Sequence, residues 1–355
     1  MKPFLRKQVR LFHTYSAFTV GVVLISMAIT GSILAFRSQL EPLIYPKLLT
    51  VEQTGPRLSY DLLVSKALSA HPSSQLDYIR YFSDPKLPFL VRFTNKDFIH
   101  INPYTGEVLG IRNRYGHFFG WIEGFHRFLM LDPKIGEPLI GYVSIFLFII
   151  SITGIIIVWP ATRKALVATL KINRKLGQRP LYLNVHRTIG LYASVVLLLI
   201  SITGAPQALE WVKHSLFLAT SSHVETIPKG LHTSSTTFIG MNALASSVDK
   251  LVAKPSEVLI HFPDSGIAEA FAIASDAPHP NARSYIWFNS TNGSIVKYIP
   301  YAKDAMGRKL ALWALSIHTG QFGGIGFQLV LFSGALSILI LAFSGIRSYL
   351  LRKSR

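Results

Sequence analysis

Four stretches of the chain carry no Asp, Glu, Lys or Arg over a length sufficient to cross a bilayer: roughly 11–36, 138–162, 188–209 and 319–346. A helix rises about 1.5 Å per residue, so about 20 apolar residues span the hydrocarbon. The rest of the composition agrees, since half of the 355 residues are hydrophobic and only 15% are charged. The chain therefore reads as a membrane protein. The first stretch is too long for a removable signal peptide, and "SILAFRSQ" after it offers no small-residue cleavage site. It reads as an anchor helix.

The net charge of +18 is clustered. Lys2, Arg6, Lys7 and Arg10 precede the first span. Arg163, Lys164, Lys171, Arg174, Lys175, Arg179 and Arg187 lie between the second and third, and Arg347, Arg352, Lys353 and Arg355 follow the fourth. Such clusters set topology and meet anionic lipid, which places both termini and the middle loop in the cytoplasm and gives nucleic acid no part as a partner. The long segments between the spans, nearly balanced in charge, fall outside. The absence of cysteine excludes thiolate-ligated iron–sulfur clusters, covalently attached haem, disulfides and a dithiol relay.

Two of the spans end in the same pentapeptide, "ISITG", at 150–154 and 200–204. Counting back from these ends exposes a repeat. His13 lies 18 residues before Gly31, and His186 lies 18 before Gly204. Trp121 and Trp313 each stand five residues before a histidine, His126 and His318, that leads into a long apolar helix. The outer segments repeat too: "LSYDLLVSKALSAH", "LDYIRYF", "FLVRFT" and "FIHINPYTGEVLGI" correspond to "MNALASSVDKLVA", "EVLIHF", "EAFAIAS" and "SYIWFNSTNGSIVKYI". Each set reads as a helix followed by antiparallel strands. The chain thus reads as a tandem duplication: four transmembrane helices and two external α+β domains, mainly α overall. Close helix approach and hydroxyls bonded back to their own helix account for the "ISITG" ends as packing.

The expected boundaries are a basic N-terminus over 1–10 and a first span over 11–36, followed by an external domain over 37–125. A lead-in and second span cover 126–160, a basic loop 161–187 and a third span 188–209. A second external domain covers 210–312, a lead-in and fourth span 313–347, and a tail 348–355. Histidines at membrane depth are functional candidates. A twofold-related pair facing a bundle interior suits two axial imidazoles on one haem iron, and no H-E-x-x-H zinc motif competes. Topology favours His13 with His186 and His126 with His318; a mixed pairing or a single haem fits the same spacing. His117, nine residues before His126, is a further candidate ligand or substrate contact with no counterpart in the second half, where Lys309 stands. His71, His100, His214, His223, His232, His261 and His279 read as surface residues.

"FHRFLMLDPKIGEPLIGYVSIFLFIISITGIIIVWPATRK", "NVHRTIGLYASVVLLLISITG", "LFHTYSAFTVGVVLISMAITG" and "SIHTGQFGGIGFQLVLFSGALSILILAFSGI" resemble the four helices of the PepSY-associated transmembrane family. That resemblance covers essentially the whole chain. It implies a bacterial inner-membrane protein with two periplasmic PepSY-like domains. It further implies haem b, one or two per chain, on His13, His126, His186 and His318 as axial ligands, and a ferric-siderophore reductase that releases iron in the periplasm. The partners so implied are an Fe(III)-siderophore or another ferric chelate. No nucleotide-binding signature is present, so electrons come from a quinol or a cytoplasmic reductase. Two other functions stand beside it: an anchored PepSY module that binds or inhibits peptidases, which the resemblance implies because such modules accompany protease propeptides, and a transporter, which duplicated halves suit. Few spans, none with a central charge, argue against the transporter.

Overall fold

The computed structural model describes residues 3–159, 162–223, 239–262 and 266–353. His232, Lys2, Pro160 and Arg355 of the sequence reading lie outside the described residues. The helices in chain order are α1 (Pro3–Leu34), α2 (Arg37–Ile44), α3 (Pro46–Leu49), α4 (Tyr60–Ala70), α5 (Phe118–Phe128), α6 (Pro133–Val158), α7 (Arg163–Thr169), α8 (Gln178–Ala208), α9 (Glu210–Ala219), α10 (Met241–Leu251), α11 (Met306–His318) and α12 (Gly324–Lys353). The strands are β1 (Leu76–Phe82), β2 (Phe89–Phe93), β3 (Asp97–Ile101), β4 (Val108–Asn113), β5 (Pro255–His261), β6 (Ile267–Ala274), β7 (Arg283–Asn289) and β8 (Ile295–Ile299). The chain divides into two compact units: Met1–Phe36, Ile122–Ser215 and Ala314–Arg355 form one, and Arg37–Trp121 and Leu216–Trp313 the other.

The first unit holds four helices long and apolar enough to cross a membrane. α1 packs against α6 and α12, and α8 packs against the same two, so α1 and α8 lie diagonally across the bundle. Val20, Leu24, Val143, Leu147, Ala193 and Leu197 fill its centre. The helices overrun the uncharged stretches: Arg6, Lys7 and Arg10 sit on α1, and Arg179 and Arg187 on α8. A basic side chain keeps its stem on apolar surface and its head in water, so charge ends the span without ending the helix. α6 starts sharply, with Asp132 accepting from the Lys134 amide and Pro133 in the first turn. The preceding corner is tight: Leu129 and Met130 both have φ above +50°, and a Cβ on Gly136 would stand 2.1 Å from the Phe128 carbonyl oxygen.

The second unit corrects the expectation of two separate external domains. All eight strands form one antiparallel sheet in the order β4-β3-β2-β1-β5-β6-β7-β8. The two meanders meet at β1 and β5, in register from Tyr78 opposite His261 to Phe82 opposite Glu257. Each meander alone would leave that strand as an unpaired edge; pairing edge to edge satisfies both sets of amides and carbonyls. Alternation sends Ile79, Tyr81, Val91, Ile99, Val258, Ile260, Ala270 and Ile286 to one face, where Leu63, Ala67, Leu244 and Val248 of α4 and α10 cover them in one core. The two helices cap each other: Asp61 accepts from the Met241 amide and Asn242 from the Tyr60 amide.

Candidate functional site: two histidine pairs

The first unit brings the four repeat-related histidines together in two pairs. The rings of His13 on α1 and His186 on α8 have centroids 6.4 Å apart and planes at 90°. Those of His126 on α5 and His318 on α11 are also 6.4 Å apart, with planes at 42°. An imidazole nitrogen binds a transition metal at about 2.0 Å, and two imidazoles sharing one metal have ring centres roughly 6 Å apart. Both pairs have that separation. Among the described residues no group of three or more His, Cys, Asp or Glu could hold a metal, so each pair brings two protein donors.

Every one of these rings is held at Nδ1 by the end of a neighbouring helix, in the same way four times. Nδ1 of His13 lies 3.1 Å from the Ile150 carbonyl and 3.0 Å from the Thr153 hydroxyl. Nδ1 of His186 lies 3.0 Å from the Leu341 carbonyl and 3.2 Å from the Ser344 hydroxyl. His318 meets the Ile200 carbonyl at 3.2 Å and the Thr203 hydroxyl at 3.3 Å. His126 meets the Thr30 hydroxyl at 2.9 Å and the Met27 carbonyl. In each case the hydroxyl stands three residues after the carbonyl and the next residue is glycine: Gly154, Gly345, Gly204 and Gly31 respectively. A Cβ on these glycines would lie 3.3, 3.4, 2.9 and 3.0 Å from Cε1 of the histidine each one faces.

This arrangement fixes the tautomer. Each hydroxyl donates its own proton one turn back, Thr30 to Ser26, Thr153 to Ile149, Thr203 to Leu199 and Ser344 to Ile340, at 2.7 to 2.8 Å. It therefore offers only lone pairs to the ring, and a carbonyl can only accept. Nδ1 must carry the hydrogen, which leaves the Nε2 lone pair of all four neutral imidazoles for a ligand. No hydrogen bond is made to those Nε2 atoms among the described residues. Sequence reasoning took the "ISITG" ends as packing and missed that they hold the histidines. The signal was present in the Thr-Gly or Ser-Gly step at the end of all four spans, but which histidine meets which step is a tertiary fact.

Of the other described histidines, His214 lies in the first unit and His71, His100, His117, His223, His261 and His279 in the second. His117 accepts from the Gly120 amide and stands 3.8 Å from Glu41, whose carboxylate is paired with Arg37 and Arg112. Two of the expected surface histidines are buried. His100 is 1% exposed, on the sheet face that alternation turns away from α4 and α10. His279, 3% exposed, bonds Tyr301 Oη at 2.9 Å and packs against Trp313 with ring planes tilted by 45°. His71 and His261 are half-buried beside Asp97 and Asp77, and His214 and His223 are exposed.

Four helices long and apolar enough to cross a membrane, two pairs of facing imidazoles and a sheet unit define a membrane protein of mixed helix and sheet. The chain belongs to the family described as the PepSY-associated TM region, whose model matches residues 10–352. No match was found among curated proteins.

Proposed function

We propose that the two histidine pairs hold haem b, one at each pair, and that the protein is a bacterial inner-membrane reductase. It passes electrons across the membrane to a ferric chelate, such as an Fe(III)-siderophore, in the periplasm. The observation that carries this reading is the fourfold repeat of one holding pattern around rings paired at the separation a bis-imidazole iron requires. Two protein donors suit a metal whose other positions are filled by a macrocycle. Bound there, haem supplies a one-electron couple whose potential follows from axial ligation and burial.

The chain's own part is to bind and orient. His13, His186, His126 and His318 present Nε2 lone pairs, and the carbonyl and hydroxyl at each Nδ1 keep the ring in that tautomer. The Thr30–Gly31 step that holds His126 stands 17 to 18 residues beyond His13 on α1, a rise of about 26 Å, so the two pairs lie at the two ends of the bundle. The basic clusters support a cytoplasmic position for the His13–His186 pair, with a quinol or a cytoplasmic reductase as the donor in this reading. Reduction releases the metal because hard oxygen donors hold Fe(II) less well than Fe(III).

The test is the visible spectrum of the detergent-purified protein, oxidised and dithionite-reduced, with its haem content. Wild type is expected to hold two low-spin haems. His13→Ala or His186→Ala is expected to remove about half the haem and leave the signal of the other pair, with the converse for His126→Ala or His318→Ala. A colourless protein from haem-replete cells overturns the reductase reading and leaves the anchored peptidase-binding PepSY module in its place.

A further inference from the structure

Resting on the haem reading above, we propose that the carbonyl, hydroxyl and glycine at each helix end are positioning groups that set the plane of the imidazole they hold. We further propose that they set the two pairs differently, so the two metal positions are electronically distinct. A histidine bound to metal through Nε2 alone still turns about the metal–nitrogen bond. Here Nδ1 is tied at about 3 Å to two acceptors on one helix, and Cε1 rests over a glycine, where a methyl would stand 2.9 Å from it at Gly204, 3.0 Å at Gly31, 3.3 Å at Gly154 and 3.4 Å at Gly345. Both ends of the ring edge are thereby fixed, and the plane with them.

The outcome differs between the pairs. His13 and His186 are held perpendicular, at 90°, by α6 and α12. His126 and His318 are held at 42°, by α1 and α8. In a low-spin ferric ion with two axial imidazoles, each ring's π orbital raises the metal d orbital that it overlaps. Perpendicular rings raise the two d orbitals equally and leave them nearly degenerate, which gives a strongly anisotropic paramagnetic signal. Rings nearer to parallel raise one more than the other and give an ordinary rhombic signal. The duplicated halves therefore yield two unlike centres, although the ligand set is the same, and each hydroxyl governs one of them.

Low-temperature electron paramagnetic resonance of the full-length, oxidised, haem-loaded protein tests this, with haem content measured on each sample. Wild type is expected to show two low-spin signals in equal amount, one strongly anisotropic and one rhombic. Thr153→Val and Ser344→Ala are expected to shift the anisotropic signal and leave the other in place. Thr30→Val and Thr203→Val are expected to do the reverse, and Thr153→Ser is expected to restore the wild-type signal. A single signal type in wild type, or unchanged signals in hydroxyl variants that retain both haems, overturns the inference and leaves the haem reading standing. A Thr153→Val or Ser344→Ala variant that loses its haem is replaced by Gly154→Ala, and a Thr30→Val or Thr203→Val variant by Gly31→Ala or Gly204→Ala, each judged on the signal of its own pair. Wild-type protein without any haem overturns both, and the visible spectrum of the same sample separates the two failures.

Discussion

Both ring nitrogens of His100 are buried on β3 without a hydrogen-bond partner among the described residues. Burial first, then Arg112 and His117, push its pKa from 6.5 down to about 3. Between those values the unfolded chain takes up a proton that the folded chain refuses, so stability falls as pH drops from about 6.5 toward 3. His100→Leu removes two unsatisfied atoms and that proton linkage. It is expected to raise the melting temperature and to flatten its pH dependence across this window, read by thermal denaturation at stepped pH. Glu41 acts in a lower window. Burial pushes its carboxyl up, but Arg37 and Arg112 outweigh burial and leave it below 4.5. Its stabilisation is present above pH 4.5 and is lost as pH falls through the depressed value. Glu41→Ala removes a buried carboxylate shared by two arginines and is expected to cost about 3 kcal/mol in chemical denaturation of the protein. The four paired histidines were legible as residues, because a spacing of 18 recurs after His13 and His186 and a tryptophan stands five residues before both His126 and His318. The buried state of His100 was not, since a histidine in an alternating strand reads the same whether its face is wet or covered.

At the scale of elements, the corners before α6 and α12 solve one problem by different means. Gly320 and Gly324 take φ of 75° and 59° without cost, whereas Leu129 and Met130 hold φ of 55° and 57° against their side chains. Met130 is 41% exposed, so little packing offsets the strain. Met130→Gly is expected to stabilise by about 1 kcal/mol, seen as a higher melting temperature. The reciprocal caps of α4 and α10 form another element-scale device. Asp61→Ala or Asn242→Ala is expected to cost about 1 kcal/mol each, because a helix N-terminus loses its acceptor. The helices themselves could be read from the sequence through apolar length and periodicity. These caps could not, because donor and acceptor are 180 or more residues apart.

Across the molecule, the joined sheet makes the second unit one cooperative body. Strands β1 and β5 lie at its centre, β4 and β8 at its edges, and one core runs beneath both halves. Amide hydrogen exchange is expected to show β1 and β5 protected most and equally, with β4 and β8 exchanging faster. Independent unfolding of the two meanders, seen as different exchange free energies in β1 and β5, contradicts that picture. Arg80 bonded to Glu257 at 2.7 Å spans the junction, so the ion pair reports the same union from the side chains.

The sequence by itself determined the four spans, the two histidine-bearing halves and the family, because hydropathy and spacing are local properties that survive in one dimension. It also determined the strands of each meander, through alternation. Only the tertiary structure decided that the meanders share one sheet, that His100 and His279 are buried, and that each Thr-Gly or Ser-Gly step closes on a histidine from another helix. Those outcomes depend on edges, faces and helices meeting across up to 183 residues of chain, from Tyr78 to His261, and no local pattern records which surface will be covered by which partner.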